Sequence, residues 1–460
     1  MAPKFGTSGL RGLVSDLTGD LIAAHTQAFL AACTTGGKIC IGRDLRPSSP
    51  RIAADVARAA QKAGVDVIDC GAVATPALAL AAGQVGAGAV MITGSHIPAD
   101  RNGLKFYVQG GGEITKADEE AILAHLGQPP ASVDVSGSMT QDTGVSARFV
   151  ARYEQAFGSN ALSRHRIGVY EHSAVGRDTL QQILAALGAE VIPLGRAAHF
   201  IPVDTEAVDP AVRTQVETWV ADHQLDALVS TDGDSDRPLM ADENGCIVPG
   251  DILGQISAEY LGAQHVVTPV SSNSGVTEKG FRQVHRTRIG SPYVIAGMQG
   301  CDGVVGYEAN GGFLLGFEAS GPAGTLPPLL TRDCMLPLVA TLVAAQGQTV
   351  SSRVAQEPAI FTQADRLQDV PTADSQAFVL RLSKDDDARA AFLAPLDVLQ
   401  AGDIDLTDGL RIPLTQSRTL HIRPSGNAPE LRLYVEANAP EAAADLLSAG
   451  LEQLRKAFES

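Results

Sequence analysis

The sequence predicts an α/β fold of several domains followed by one α+β domain, and three observations carry that prediction. Segments of helical period alternate with short β-branched runs over the first three quarters of the chain, as strands covered by helices require. The last quarter changes to short alternating strands and one long helix, which predicts an antiparallel sheet. With 460 residues, 45% hydrophobic and 19% charged, the chain is globular and too long for a single core.

The elements follow in order. KICIGRD (Lys38–Asp44) reads as a strand, Arg51 to Ala63 as a helix with apolar positions at 3.6 spacing, and VDVIDCG (Val65–Gly71) as a strand. Cys70 to Thr93 carries no charge, but its Ala and Gly content and its Pro76 and Gln84 predict a buried helix and strand rather than a membrane span. A second unit opens at RIGVYE (Arg166–Glu171), continues through a helix at Asp178–Leu187 and returns at AEVIPLG (Ala189–Gly195). A third has a helix near Ile252–Leu261 and a strand at HVVTPV (His265–Val270). One α/β design therefore recurs three times without an exact sequence repeat. AFVLRL, GLRIPL, TLHIRP and LRLYVEA are the strands of the last domain, with a helix from Pro440 to Phe458. Linkers are expected near Gln128–Thr143, Asp242–Gly250 and Gln356–Thr372, giving domains at 1–140, 141–245, 246–358 and 359–460.

Composition removes several function classes. A net charge of −17 argues against nucleic acid, which is held by surplus Lys and Arg. The six cysteines form no C-x-x-C pair, so a thiolate zinc site or a disulfide scaffold is not expected. The opening MAPKFGTSGLRG has no apolar stretch, and a cytoplasmic location is the expectation. Walker A, G-x-G-x-x-G and H-E-x-x-H patterns are absent.

Five segments have the composition of chemistry rather than filler. In LVSTDGDSDRPLM, Asp232, Asp234 and Asp236 alternate just after an apolar strand and can converge on one point. Such carboxylates repel unless a cation neutralises them, and oxygen ligands alone suit a hard ion such as Mg²⁺. A solvated acidic turn, an EF-hand and an aspartyl phosphatase are the competing readings. The EF-hand needs Gly where Arg237 stands, and its flank should be helical. In MITGSHIPADRNGLKFY, Ser95 follows an apolar run, in a loop expected to be exposed at a strand end, with a turn at Asn102-Gly103. His96 and Lys105 are candidate proton carriers or phosphate ligands. HIRPSGNAPELRLYVEA places Arg423, Ser425, Gly426 and Asn427 in a turn that can offer N–H groups and a guanidinium to a phosphate. FGTSGLRG offers Thr7, Ser8 and Arg11, and GYEANGGFLLG offers Glu308 and Asn310 to the hydroxyls of a polar ligand. A serine, an acidic triad, phosphate-binding turns and a hydroxyl reader together suit phosphoryl transfer on a sugar phosphate.

FGTSGLRG, TGSHIPADRNGLKF, DGDSDR, YEANGG and RPSGNAPELRLYVEA stand in the order and spacing of the α-D-phosphohexomutase superfamily, which this chain resembles from Phe5 to its C-terminus. The resemblance implies three similar α/β domains with mixed, mostly parallel sheets and a C-terminal domain of TATA-binding-protein type, around a central cleft. It implies that Ser95 is phosphorylated in the resting enzyme and, with Asp232, Asp234 and Asp236, binds Mg²⁺. Arg237 closes the metal loop, His96 follows the serine, Lys105 and Arg11 assist at the reacting hydroxyl, and Glu308 reads the sugar. Arg423, Ser425, Gly426 and Asn427 would hold the phosphate that is not transferred. The implied reaction interconverts hexose 6- and 1-phosphates, with mannose favoured over glucose and glucosamine, through a hexose 1,6-bisphosphate that also serves as activator. A metal-dependent sugar phosphatase and a silent sugar-phosphate-binding protein are the rival classes. The chain departs from the pattern in three places. The usual Gly-Glu-x-Ser-Gly-His of the sugar loop is Tyr307-Glu308-Ala309-Asn310-Gly311-Gly312, and Gly-Thr-Glu-Pro is Gly426-Asn427-Ala428-Pro429. A common lysine position falls on Pro292, leaving Arg288 as the nearby cation.

Overall fold

In the computed structural model, residues 3–6, 9–128, 135–426 and 429–459 are described, so Thr7, Ser8 and Asn427 lie outside the described residues. The chain forms two compact units, Met1–Val267 with Gly290–Gln356 and Thr268–Ile289 with Glu357–Ser460.

The first unit holds three mixed sheets. β1 (Lys4–Phe5), β2 (Leu10–Leu13), β3 (Lys38–Arg43), β4 (Asp66–Ala72), β5 (Gly88–Ile92), β6 (Arg101–Tyr107) and β7 (Met139–Gln141) build the first, in the order β1-β2-β6-β5-β3-β4-β7. The uncharged stretch from Cys70 resolves as expected into a helix, Thr75–Val85, and the wholly buried strand β5. Gly86 ends that helix in the left-handed region at φ 64°, which glycine adopts without penalty. The second sheet contains β8 (Arg166–His172), β9 (Glu190–Arg196), β10 (Ala227–Thr231), β11 (Pro238–Ala241) and β12 (Ile247–Val248), ordered β12-β11-β10-β8-β9. In the third, β13 (His265–Pro269) pairs in parallel with β15 (Val304–Tyr307), and Thr268–Ile289, with β14 (Gln283–Thr287), belongs to the second unit. β16 (Phe313–Leu315) and, after a small hairpin of β17 (Ala319–Ser320) and β18 (Thr325–Leu326), β19 (Leu329–Asp333) complete it.

The sheets are mixed, but parallel pairs do not predominate. In the first sheet three pairs are parallel and three antiparallel. The cause is a reversal repeated in all three domains. β5 turns back into β6, β10 into β11 and β15 into β16, each as an antiparallel neighbour joined by a short connection. The Ser95 loop, the aspartate loop and the Glu308 loop are those three connections.

The second unit carries a four-stranded antiparallel sheet, β20-β23-β22-β21, of β20 (Phe361–Gln368), β21 (Leu410–Leu414), β22 (Arg418–Pro424) and β23 (Glu430–Ala437). The connection from β22 to β23 is the Ser425 turn, which repeats the same placement. The helices Thr372–Lys384 and Pro440–Glu459 pack on this sheet, their Phe378, Leu382, Leu446 and Leu454 sharing one cluster with Leu420, Ile422 and Leu433.

Three local expectations need correction. AFVLRL is not a strand but part of the helix Thr372–Lys384. Its Ala, Leu and Arg favour helix, and its buried positions Ser375, Phe378 and Leu382 follow helical spacing. The three segments read as linkers contain β7, β12 and β20, strands with few buried residues that give no clear alternation. Asn102-Gly103 is not a turn but lies inside β6, between β2 and β5. The Asn102 amide donates to Ser48 and Ser49, and a Cβ on Gly103 would stand 2.2 Å from the Leu10 carbonyl oxygen. Close approach of backbone, rather than a turn, requires glycine there. Among the described residues no helix is long and apolar enough to cross a membrane.

The helix at 372–384 separates two residues that a strand would put on one face. Phe378 is buried against Phe392 and Phe458, while Leu380 is 53% exposed. Phe378→Ala is expected to cost about 3 kcal/mol of unfolding free energy in urea and Leu380→Ala less than about 0.5 kcal/mol. Equal costs would restore the strand.

Candidate active site

Ser95 stands three residues beyond β5 at φ 53°, in the left-handed region that a non-glycine residue occupies only when its surroundings hold it there. The holding groups are visible. Its N–H donates to Thr93 Oγ1 at 2.7 Å, and Thr93 Oγ1 donates to Asp44 Oδ2 at 2.8 Å. Arg46 spends four of its five N–H groups on carbonyls between Ser95 and Arg101 and the fifth on Asp44. Nη2 donates to the carbonyls of Ser95 and Ile97, Nη1 to those of Pro98 and Arg101, and Nε to Asp44. The Phe200 ring covers this guanidinium 4.0 Å away. Ser95 is therefore at a strand end, as expected, but it is fully buried instead of exposed, because the aspartate loop closes on it. A Cβ on Gly233 would stand 2.7 Å from the Ser95 carbonyl oxygen, so that closure demands glycine at 233.

The aspartate loop, from 232 to 237, connects β10 to β11, and all three acids are buried. Their nearest carboxylate oxygens lie within 4.8 Å of one another. Ser95 Oγ donates to Asp232 Oδ2 at 2.5 Å, which places the serine oxygen in the triad. The loop is braced from two helix starts. Gly176 N–H, at the head of the helix Arg177–Ala186, donates to Ser235 Oγ, and Thr75 donates through N–H and Oγ1 to the backbone and carboxylate of Asp234.

The cluster's charge balance shows what it can hold. Lys105, from β6, sets its ammonium on Asp234 Oδ2 at 2.5 Å and on Asp236 Oδ2. Arg332 Nη2 reaches Asp236 Oδ2 at 2.8 Å. Against the burial that would raise it, Lys105 holds the Asp234 carboxyl below the usual carboxylate range. Burial and its two acidic neighbours push Asp232 well above that range. Asp234 Oδ1 and Asp236 Oδ1 are shut off from solvent with no hydrogen-bond partner. Buried carboxylate oxygens without donors are costly, and a hard cation is the partner that an oxygen-only donor set accepts. The triad thus fits a divalent metal.

The remaining predicted residues of the first unit surround this cluster. His96 Nδ1 lies 3.3 Å from Ser95 Oγ, and its Nε2 faces Asp204 at 3.9 Å. Burial, then the Arg237 and Arg11 guanidiniums, push its imidazole down to about 3, so it is neutral at physiological pH. Arg11, in β2, is pushed down to about 10 by burial and by Arg237, and its Nη2 is sealed from solvent without a hydrogen-bond partner. Arg237 Nε faces Asp236 at 3.9 Å. Glu308 is buried, its carboxyl raised by burial, and its Oε2 pairs with Arg332 Nη1 at 3.5 Å. Asn310 Oδ1 accepts from Gly312 N–H, so its amide N–H is what it can offer a ligand.

Arg423, Ser425 and Gly426 lie in the second unit. Asp408 Oδ2 accepts from Arg423 Nε at 2.8 Å and from Ile289 N–H. Arg288 donates to the Thr407 carbonyl, and Pro292 opens the helix Ser291–Met298 of the first unit. Sequence reasoning missed Asp44, Arg46, Thr75, Glu113 and Arg332. GRDLR directly after a buried strand and TRD inside an apolar run were the available signals, since charges so placed must be paired.

The neighbouring His421 makes the second unit sensitive to acid. Its Nε2–H donates to the Asp408 carbonyl, and burial pushes the ring down to about 4. The unfolded chain protonates this histidine near its usual ~6.5, so stability is intact above that pH and falls as pH drops toward 4. Hydrogen exchange of the β22 amides, corrected for intrinsic rates, is expected to show opening easier by about 2 kcal/mol at pH 5 than at pH 7, and His421→Gln to remove most of the difference.

The descriptions "Phosphoglucomutase/phosphomannomutase, alpha/beta/alpha" domain I, domain II and domain III match residues 2–132, 147–245 and 249–361, and the same family's C-terminal domain matches 353–452. A phosphomannomutase of Sinorhizobium fredii is 44% identical over 100% of both chains. A phosphomannomutase of Salmonella muenchen is 41% identical, covering 98% of this chain and 95% of its own. Among solved structures, a Burkholderia thailandensis phosphoglucomutase/phosphomannomutase family protein superposes with TM-score 0.78 at 21% identity, over 98% of this chain and 97% of its own. A putative phosphomannomutase from Thermus thermophilus gives the same TM-score and identity over 100% of both. With the four domain types in order along a buried serine, an acidic triad and a glutamate loop, the chain belongs to the phosphoglucomutase/phosphomannomutase family.

Proposed function

We propose that this protein is a phosphohexomutase that interconverts mannose 6-phosphate and mannose 1-phosphate through a phosphorylated Ser95. One observation carries the reading above the others: Ser95 Oγ sits inside a buried carboxylate triad, hydrogen-bonded to Asp232. A serine held there can exchange a phosphoryl group, whereas a hydrolase using an aspartyl nucleophile has no need of it. The mannose assignment rests on the two relatives named phosphomannomutase, at 44% and 41% identity over nearly the whole chain.

In the first half-reaction the sugar's free hydroxyl oxygen bonds to phosphorus as the bond from phosphorus to Ser95 Oγ breaks, giving the 1,6-bisphosphate. In the second, Ser95 Oγ takes the other phosphoryl group and the isomer leaves. Asp232, Asp234 and Asp236 would hold Mg²⁺, which when bound offsets charge on the phosphoryl oxygens. Lys105 and Arg11 assist proton transfer at the reacting hydroxyl, Lys105 by offering it an ammonium donor and Arg11 through its unpartnered Nη2. Neutral His96 buttresses the serine, and Arg46 fixes the loop that carries it. Glu308 and Asn310 hydrogen-bond sugar hydroxyls, and Arg423, Ser425, Gly426 and Asn427 hold the phosphate that stays. Binding energy at that remote phosphate is available to the reacting end.

The test is a mutase assay with Mg²⁺ and a trace of hexose 1,6-bisphosphate, comparing mannose, glucose and glucosamine phosphates by kcat/KM. Mannose phosphate is expected to lead. A lead by another sugar would keep the mechanism and replace the substrate, and free phosphate without isomer would favour a phosphatase. Ser95→Ala and Asp234→Ala are each expected to lower kcat by at least about 10³-fold. EDTA should abolish activity and Mg²⁺ restore it, and a fully active Asp234→Ala enzyme would overturn the metal assignment.

A further inference from the structure

Gly312, where the sugar loop departs from the usual family pattern, has a neighbour that explains its identity. Its backbone is outside the left-handed region, so conformation does not demand glycine there. Space does. A Cβ at 312 would stand 2.7 Å from Cδ and 2.9 Å from Cγ of Arg332, which comes from β19, the strand beside β16. Arg332 is 1% exposed, and its guanidinium meets carboxylates from three separate segments. Nη2 is 2.8 Å from Asp236 Oδ2 in the aspartate loop, Nε is 3.3 Å from Glu113 Oε1 just after β6, and Nη1 is 3.5 Å from Glu308 Oε2 in the sugar loop. Glu113 is itself fixed by the Arg332 N–H and the Thr331 and Ser291 hydroxyls, so this arm of the fork is anchored.

We propose that Arg332 is a positioning residue for the sugar-reading Glu308, holding its carboxylate in fixed relation to the metal-loop carboxylate Asp236, and that Gly312 is glycine to let the Arg332 side chain pass. The inference rests on the mutase reading. A planar fork anchored on Glu113 can orient two further carboxylates at once. A lysine, with one compact charge on a flexible stem, cannot reproduce that geometry.

The experiment is a double-mutant cycle of Arg332→Lys and Gly312→Ala with mannose 6-phosphate as substrate. Phosphoserine content and thermal unfolding are read beside kcat and KM. Each single variant is expected to raise KM about tenfold while kcat falls less and Ser95 keeps its phosphate. The double variant should be no worse than the worse single, because the added methyl acts on Glu308 only through a guanidinium that the lysine has already removed. Arg332→Lys with wild-type KM, or full additivity, would overturn the proposal. Loss of folding in both singles would also overturn it, in favour of a purely structural arginine. An active wild type with unaffected variants would sink this inference alone, whereas a wild type that isomerises no hexose phosphate would sink the mutase reading first.

Discussion

Three carboxylates withdrawn from water within a few ångströms of one another are the constraint on which the first unit is organised. In a low-dielectric interior their repulsion is far larger than any single packing contact, so the fold must bring positive charge to them. It does so from remote places. Lys105 comes from a strand of the first sheet, Arg332 from a strand of the third, and Thr75 adds donors from a helix start. Electrostatic compensation of one loop thus holds the three α/β domains in a common arrangement. The same compensation is incomplete at Asp234 Oδ1 and Asp236 Oδ1, which is how a structural demand becomes a place for a catalytic metal.

The chemistry is distributed by a single topological device. In each domain one strand turns back beside itself, and the functional segment is the connection at that reversal. Side chains there are anchored at both ends by sheet pairing, yet their own sequence is free of the alternation that a strand imposes. Arg46 shows the complement of this freedom. A loop that must keep Ser95 at a positive φ needs many carbonyls tied down at once, and one guanidinium with five donors does so without touching the reacting atom.

Much of this was legible in the sequence because the functional loops are short and chemically concentrated. Asp232, Asp234, Asp236, Ser95 and Glu308 announce themselves through residue type and spacing within a few positions. The groups that hold them do not. Arg46 acts on a loop about fifty residues away and Arg332 on an aspartate nearly a hundred away, and no local pattern records such pairings. The misread elements fail for a different reason. Phe378 and Leu380 alternate with Ala377, Val379 and Arg381 as a strand would, until burial shows a helix whose exposed face tolerates leucine. β7 and β20 are edge strands whose side chains mostly face water, so hydrophobic period has nothing to mark. Asn102-Gly103 has the composition of a turn, and only the approach of the Leu10 carbonyl reveals why glycine is there.

The glutamate loop has a consequence for how such a protein diverges. It is suspended between β15 and β16, whose pairing runs through Val305, Gly306 and Tyr307 and does not involve the loop residues. Substitutions from 308 to 310 therefore leave that pairing intact, while Gly311, at φ 83° and against Pro238, stays glycine, and descent can alter what the loop recognises without first solving the folding problem again. At Gly312 its freedom is set by the arginine on the adjacent strand, so drift at 312 and drift at position 332 are joined. A lineage that lost the arginine would reopen space at 312, and one that gained a side chain at 312 would need the arginine gone. Substrate preference in such a lineage would change by paired steps rather than by single ones.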